Sequence, residues 1–240
     1  MSQPTEEFVT ASPMLPRASE IEAISLDLDD TLWPVVPALV AAEEAMHRWL
    51  AERAPRTAMR CSIDRLREMR VVLAMANAEQ AHDMGWLRLE SLRQALRESG
   101  DDPALAVGAF QEFMDGRQRV TLYGEVEELL QRWKSRYQLV VVTNGNADIE
   151  RIGIGHYFAA SIAAHEVGFG KPDRRIFEHA CASIGVLPGR VLHIGDDLEL
   201  DVLGARGAGL HAAWLLRPDL HHQRTSRTSD ADAGLSQAPE

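Results

Sequence analysis

The 240-residue sequence predicts an α/β protein, with a parallel sheet flanked by helices and an all-helical segment inserted after the first strand. Short apolar runs alternate with helical patterns over most of the chain, as they do in parallel sheets that carry helices on both faces. The alternation stops over residues 35–121, where only helical spacing occurs. The 45% hydrophobic and 25% charged fractions are ordinary for a globular protein of this size.

Five short apolar runs are the predicted strands. The first precedes Asp27, and the others cover residues 139–143, 161–164, 191–194 and 211–216. The second and fourth runs are β-branched and end in polar or glycine-rich turns, which is typical of buried parallel strands. The third run also fits a helix.

Helical spacing predicts three helices between the later strands, over residues 125–136, 173–184 and 198–208. It predicts four more in the insertion, over residues 35–53, 63–77, 82–99 and 103–117. The large apolar residues of the insertion are expected to face its own core: Trp49, Leu66, Val72, Trp86, Leu89 and Phe110.

The expected domain organisation follows from these patterns. Residues 20–34 and 122–219 form the sheet domain, and residues 35–121 form a helical cap. A cap inserted directly after the first strand would lie over the strand ends as a lid, where it excludes water and selects substrates. Residues 1–19 are expected to be a flexible tail, and residues 220–240, which are poor in large apolar side chains, a disordered one.

Composition excludes several classes of protein. A net charge of -11 argues against broad binding of nucleic acid or anionic membranes. No apolar run approaches the ~18 residues of a membrane span, and the N-terminal residues do not resemble a signal peptide. Cys61 and Cys181 lack a paired spacing, which indicates reduced thiols in a cytoplasmic protein. The oligomeric state stays open between monomer and dimer.

The first strand ends in two carboxylates, Asp27 and Asp29. Side chains at positions i and i+2 of an extended segment point the same way, so both carboxylates can face one site. Clustered carboxylates repel each other and therefore bind a cation, share a proton, or do both. The alternative is that Asp29, Asp30 or Thr31 only caps a turn or helix.

Two later segments offer groups that bind phosphate. Thr143 and Asn144 end a predicted strand, where a hydroxyl and the amides of a tight turn can hold phosphate oxygens, although Asn-Gly is also an ordinary turn dipeptide. Lys171 precedes Pro172, which favours an extended backbone and lets the lysine project into a cleft as a point charge. A solvated surface lysine is the alternative.

The strand over residues 191–194 is followed by Asp196, Asp197 and Asp201. Carboxylate oxygens suit Mg²⁺, which takes few protein ligands and keeps several waters. A simpler interpretation is that Asp197 caps the following helix. The glycines of residues 204–209 do not match a dinucleotide-binding fingerprint.

Asp27, Asp29, Thr143, Lys171 and Asp196 thus follow one another at predicted strand ends or in loops on one edge of the sheet. In this order they resemble the four-motif signature of the haloacid dehalogenase-like hydrolase superfamily, and the resemblance covers residues 21–217. It implies a Rossmann-like sheet with a helical cap between the first and second motifs.

The resemblance also implies roles for these residues. Asp27 would be the nucleophile that forms an aspartyl-phosphate, and Asp29 would protonate the leaving oxygen and then activate water. Thr143, Asn144 and Lys171 would hold the phosphoryl group.

The resemblance further implies a Mg²⁺ site made by Asp27, Asp196 and the main-chain carbonyl of Asp29. Asp197 and Asp201 would support that site or orient Lys171. Electrostatics agrees with a cation, because several carboxylates facing a phosphate dianion repel it strongly.

One branch of the superfamily is resembled in particular, by residues 27–33, 143–146, 82–88 and 193–215. These segments are similar to those of bacterial FMN phosphatases, which also act on 5-amino-6-(5-phospho-ribitylamino)uracil, a ribityl phosphate of riboflavin biosynthesis. His82, Trp86 and Arg88 are the candidate cap contacts to such a substrate. Trp86 would stack on a flat ring system, or else pack between helices.

The sequence therefore predicts a cytoplasmic, Mg²⁺-dependent phosphomonoesterase acting on a small phosphorylated metabolite. Phosphatases of sugar phosphates or nucleotides and phosphomutases need the same site and remain alternatives. A 2-haloacid dehalogenase would keep the nucleophile but has no need of Asp29 or Mg²⁺. A phospho-signalling receiver domain is about half as long and has no counterpart of the cap.

Overall fold

The computed structural model describes residues 19–80 and 83–217. Five parallel strands form one sheet in the order β3-β2-β1-β4-β5. The strands are β1 (Ala23–Leu26), β2 (Gln138–Thr143), β3 (Ala160–Ala163), β4 (Val191–Gly195) and β5 (His211–Trp214). β1 is central, with Ser25 opposite Val140 on β2 and opposite His193 on β4. The carboxyl ends of β2 and β4 therefore lie on either side of the carboxyl end of β1.

Both faces of the sheet are buried, which explains the continuous apolar runs. On β2, Val140 and Val142 face one core with helix α9 (Arg174–Ile184), while Leu139 and Val141 face the other with helix α6 (Val126–Lys134). The helices of this part are α6 (Val126–Lys134), α7 (Ile149–Ile152), α8 (Ala164–Val167), α9 (Arg174–Ile184) and α10 (Gly204–Gly207). Short 3-10 turns occur at Gly155–Tyr157 and Pro188–Arg190, and a π-helical turn, Leu198–Leu203, precedes α10.

An all-helical insertion separates β1 from β2. Its helices are α1 (Val35–Arg53), α2 (Pro55–Arg60), α3 (Ile63–Ala76), α4 (Met84–Ser99) and α5 (Leu105–Arg117), with a 3-10 turn at Ala78–Gln80. They enclose a third apolar core that includes Met46, Leu66, Leu96 and Phe113. α1 and α5 pack closely, because Gly116 leaves no room for a side chain against the backbone of Ala42.

The expected fold class is confirmed, and the boundaries differ in informative places. The helix expected from residue 82 begins at Met84, where the Asp83 side chain accepts a hydrogen bond from the amide of Trp86 and caps it. The helix expected over residues 198–208 is a π-helical turn followed by α10. α2 was not expected, because Pro55–Arg60 is short and has no apolar stripe.

Four of the six residues expected in the apolar core of the insertion lie there, whereas Val72 and the half-buried Trp86 are not part of it. Leu66 is buried, and Trp49, Leu89 and Phe110 pack against the same core. Val72 is 64% exposed, because helix α3 turns that face to solvent. Cys61 and Cys181 lie in different cores as free thiols, in agreement with the expected reduced state.

The expected N-terminal tail lies outside the described residues except for its last position, and the C-terminal tail over residues 220–240 lies wholly outside them. Within the part of the chain that the structure describes, no helix has the length and apolar character needed to cross a membrane.

Candidate active site

Asp27 lies directly after β1 and contacts Lys171. Its amide donates to the carbonyl of Ile194 on β4, which extends the strand pairing by one residue. The Lys171 ammonium donates to Asp27 Oδ1 over 2.5 Å and to Asp201 Oδ1 over 2.6 Å. All three side chains are buried, so one cation serves two carboxylates away from solvent.

Asp201 is held from the other side by His193 on β4. His193 Nε2 lies 3.1 Å from Asp201 Oδ1, and Nδ1 lies 2.7 Å from the hydroxyl of Ser25 on β1. A neutral imidazole with its proton on Nε2 satisfies both contacts, because Nε2 then donates to Asp201 and Nδ1 accepts from Ser25. Burial lowers the pKa of His193, which agrees with this neutral form.

Electrostatics distinguishes the two carboxylates that share Lys171. Burial opposes ionisation of Asp201, but the hydrogen bond from His193 and the charge of Lys171 outweigh it and lower the pKa of Asp201. Burial raises the pKa of Asp27 to about 7, helped by the negative charges of Asp201 and Asp29 and opposed by Lys171. Burial disfavours the charged form of Lys171 as well, yet its two carboxylates raise its pKa. The cluster is therefore short of positive charge.

A divalent cation fits the donor set beside this cluster. Carboxylate oxygens of Asp27, Asp196 and Asp201 lie within 4.8 Å of one another. Hard oxygen donors of this kind are the ligands that Mg²⁺ takes, and a cation would supply the missing positive charge. This group contains Asp201, which the sequence analysis assigned a supporting role, and two of the three expected metal ligands.

Asp29, whose main-chain carbonyl is the third expected ligand, has its carboxylate in other contacts. Arg117, the last residue of α5, places Nη2 at 2.5 Å from both Asp29 oxygens. The indole of Trp33 donates to Asp29 Oδ1 over 2.9 Å. The side chain of Asp30 accepts from the amide of Val35, the first residue of α1.

Thr143 and Asn144 reach the site from the end of β2. The Thr143 hydroxyl accepts from the amide of Gly145 over 2.9 Å and keeps its own proton for donation. The Asn144 amide group bonds twice to the backbone of Lys171, through Oδ1 to the amide and through Nδ2 to the carbonyl. Asn144 thus fixes the loop that presents Lys171.

The two aspartates expected to support the site have different contacts. The Asp197 side chain accepts from the amides of Glu199 and Leu200 and caps the π-helical turn. Its own amide donates to Asp201 Oδ2 over 3.0 Å. Asp201 orients Lys171, and a side chain at Gly195 would overlap its carboxylate.

The structure describes two of the three cap candidates, and both lie on α4 of the insertion. His82 lies outside the described residues. Trp86 is half-buried in the first turn of α4. Arg88 is buried within the insertion, where it donates to Glu43 over 3.2 Å and stacks on the ring of Phe113 at 3.5 Å. Substrate contact by these residues stays a prediction.

A cleft of about 410 Å³ opens beside the loop that follows Thr143. Its lining includes Met114 of α5, Asn146 from that loop, and His165 and Glu166 after β3. A volume of this size suits a small-molecule ligand.

Sequence reasoning missed Arg117, His193 and Ser25. Ser25 and His193 lie within strands predicted as apolar, and only the β1–β4 register brings them together. A polar residue at a buried strand position was the available signal for both. Arg117 had no local signal, since it is 88 positions from Asp29.

A parallel α/β sheet with a buried cluster of carboxylates and a lysine at the carboxyl ends of its strands is typical of α/β enzymes, which bind their ligands at that edge. The model of the haloacid dehalogenase-like hydrolase family matches residues 21–209. The chain belongs to this family, as the sequence analysis expected.

Two relatives of known activity are phosphatases. The chain is 32% identical to 5-amino-6-(5-phospho-D-ribitylamino)uracil phosphatase of Escherichia coli (strain K12), over 83% of this chain and 84% of the relative. It is 38% identical to phosphoserine phosphatase of Thermus thermophilus, over 56% of this chain and 58% of that protein. These relatives agree with the expected phosphoric monoester hydrolase.

A solved structure described as a 2-haloacid dehalogenase from Pseudomonas syringae pv. Tomato DC3000 is also similar. It shares 37% sequence identity with a TM-score of 0.77, over 81% of this chain and 86% of that chain.

Proposed function

We propose that this protein is a Mg²⁺-dependent phosphomonoesterase that works through an aspartyl-phosphate on Asp27. The observation that carries the proposal is the buried contact of Lys171 with both Asp27 and Asp201 at the carboxyl end of the central strand. Lys171 and Thr143 offer donors for phosphoryl oxygens beside the Asp27 carboxylate. A bound Mg²⁺, held by Asp27, Asp196 and the carbonyl of Asp29, would offset the negative charge of the phosphate.

The reaction proceeds in two proton-balanced halves. In the first, an Asp27 oxygen forms a bond to phosphorus, the bond between phosphorus and the ester oxygen breaks, and that oxygen takes a proton from Asp29. In the second, water attacks phosphorus, Asp29 accepts its proton, and Asp27 is released with inorganic phosphate. Splitting a slow hydrolysis into two such steps is the usual advantage of covalent catalysis.

The substrate we propose is a ribityl phosphate of riboflavin biosynthesis or FMN. The similarity to the Escherichia coli phosphatase over most of both chains supports this choice. The cleft lined by Met114 and His165 offers room for a leaving group of that size. The alternatives are sugar phosphates, nucleotides and phosphoserine, together with a phosphomutase reaction at the same site.

A second candidate function is 2-haloacid dehalogenation, which the solved structure at 37% identity favours. That reaction also starts with a carboxylate nucleophile but needs no proton donor for a halide. Asp29, held in place by Arg117 and Trp33, argues for a leaving group that takes a proton.

The decisive assay measures phosphate release from FMN, the ribityl phosphate, phosphoserine, sugar phosphates and nucleotides, and halide release from 2-chloropropionate. We expect phosphate release that requires Mg²⁺ and falls at least about 1,000-fold in Asp27→Asn. Asp64 is exposed, so Asp64→Asn is the matched control and keeps wild-type activity. Halide release without phosphatase activity would exclude the proposal, whereas sugar phosphate hydrolysis with FMN untouched would change only the substrate.

A further inference from the structure

Arg117 joins the helical insertion to the carboxylate that we assign to proton transfer. It is the last residue of α5, and its side chain is 1% exposed. Its Nη2 contacts both oxygens of Asp29 at 2.5 Å. A charged donor shared between two carboxylate oxygens fixes both the position and the rotation of the carboxyl group.

The surroundings of Asp29 leave it one orientation. The indole of Trp33 donates to Oδ1 over 2.9 Å. A side chain at Gly145 would come within 2.9 Å of Oδ2, so the backbone after β2 closes the other side. Trp33 belongs to the loop after β1, whereas Arg117 comes from the insertion. Two separate parts of the chain therefore hold one carboxylate.

Helix α5 is anchored on both parts near the same point. Gly116 packs on the backbone of Ala42 in α1, inside the insertion. Asp115 pairs with Arg151 over 2.6 Å, across to the sheet domain. The Gln118 side chain accepts from the amide of Asp148 over 2.7 Å. The position of Arg117 thus depends on how α5 sits against the loop after β2.

The remaining contacts of Arg117 direct it towards Asp29. Its Nη1 is buried and has no hydrogen-bond partner within residues 19–80 and 83–217. Arg88 stacks on Phe113, one helical turn before Arg117, and presents a like charge. Asp29 supplies the ion pair that balances the charge of Arg117.

We propose that Arg117 is a positioning residue that holds Asp29 in place for proton transfer only while α5 is seated on the sheet domain. This inference rests on the proposed phosphatase function. When α5 packs against the sheet domain, Arg117 also reaches Asp29, because the same end of α5 makes both contacts.

Substrates with different leaving groups can test whether Arg117 positions Asp29 for proton transfer. An alkyl phosphate releases an alkoxide oxygen, which needs a proton as the bond to phosphorus breaks. p-Nitrophenolate leaves readily as an anion and gains little from a positioned proton donor. A displaced Asp29 therefore slows transfer from an alkyl phosphate more than transfer from p-nitrophenyl phosphate.

The experiment measures kcat/KM, which reports the steps up to phosphoryl transfer to Asp27, for glycerol 2-phosphate and p-nitrophenyl phosphate with Mg²⁺. The variants are Arg117→Met, Arg117→Lys and, as the matched control, Arg119→Met, since Arg119 is an exposed arginine two residues away. We expect Arg117→Met to lower kcat/KM for glycerol 2-phosphate about 10-fold or more beyond its effect on p-nitrophenyl phosphate. Arg117→Lys restores part of the difference, and Arg119→Met shows none.

Three results would overturn the inference. Equal losses on both substrates would make Arg117 a structural link only. The same substrate difference in Arg119→Met would remove its connection to Asp29. An undiminished effect of Arg117→Met in an Asp29→Asn background would mean that Arg117 acts on the substrate itself, since residues that act through one another are not additive.

The failure of the proposed function looks different. In that case the wild-type protein releases phosphate from neither ester, and the role of Arg117 falls with it. Melting temperatures of all variants, measured alongside, separate a misfolded Arg117→Met from a folded and uncoupled one. Arg117→Lys keeps the charge and provides a second measurement if Arg117→Met does not fold.

Discussion

Asp27 and Asp201 share a single buried lysine, so two carboxylates face one positive charge. This shortage of positive charge makes the environments of the two carboxylates differ. Lys171 lies within 2.6 Å of both carboxylates. His193 adds a hydrogen bond to Asp201 alone and lowers the pKa of Asp201, whereas burial raises the pKa of Asp27. In the proposed reaction, a cation beside Asp27 would offset the charge of the phosphate.

The raised pKa of Asp27 predicts a pH-dependent difference between wild type and Asp27→Asn. The pKa is about 7 in the folded protein and 3.8 in the unfolded chain. Unfolding therefore releases a proton between these values, and the contribution of Asp27 to stability is lost as the pH rises towards 7. Asparagine stays neutral. In EDTA, the stability of Asp27→Asn relative to wild type should increase by up to about 1.4 kcal/mol per pH unit over this range.

Urea unfolding of both proteins at intervals from about pH 4 to pH 8 measures this difference. The difference in stability between the two proteins should level off above pH 7, because Asp27 is then ionised in the folded and unfolded states alike. A difference that stays constant with pH would mean that the pKa of Asp27 is not raised.

At the scale of elements, the close contact between α1 and α5 sets the position of the C-terminal end of α5. A side chain at Gly116 would come within 2.7 Å of the Cα of Ala42 and 3.0 Å of its Cβ. Backbone atoms cannot rotate away, so the two helices must separate to admit even a methyl group. The residue that follows Gly116 is Arg117, and separation of the helices would move it.

Gly116→Ala should lower the free energy of unfolding by about 1–3 kcal/mol. Gly124→Ala is the matched control, because a side chain there meets nothing within 4 Å. Chemical denaturation of both variants gives the comparison. An unchanged stability in Gly116→Ala would show that α1 and α5 can shift freely, and would weaken the argument that α5 fixes Arg117.

At the scale of the whole molecule, the proposed cation site joins elements that are distant in the sequence. Asp27 and the carbonyl of Asp29 follow β1, whereas Asp196 follows β4, more than 160 residues later in the chain. The unfolded chain does not hold these carboxylates together, so a cation that binds them binds the folded state preferentially. Binding then stabilises the fold by mass action.

Mg²⁺ at 100 times its dissociation constant should stabilise the protein by about 2.7 kcal/mol. For a chain of this size, that corresponds to a rise of about 5–10 °C in the melting temperature. Asp196→Asn should abolish most of the rise, and the exposed Asp64→Asn should keep it. Thermal melts with Mg²⁺ and with EDTA provide the measurement. An equal rise in wild type and Asp196→Asn would place the cation elsewhere.

The sequence by itself determined the fold class and the edge of the sheet on which the candidate site residues lie. Asp27, Thr143 and Asp196 follow strands of one parallel sheet, and carboxyl ends of parallel strands lie on the same edge. Strand ends can be read from local patterns, because they depend on periodicity and turn residues. This is why the sequence also predicted the helical insertion.

Only the tertiary structure decided which side chains hold these groups in place. The contact between Ser25 and His193 depends on strand register, and that between Arg117 and Asp29 depends on the packing of α5. The side chain of Asn144, which was expected to bind phosphate, bonds the backbone of Lys171, and phosphate binding by Asn144 stays a prediction. Such contacts join residues far apart in the chain, and local propensity carries no information about them because it acts over a few residues only.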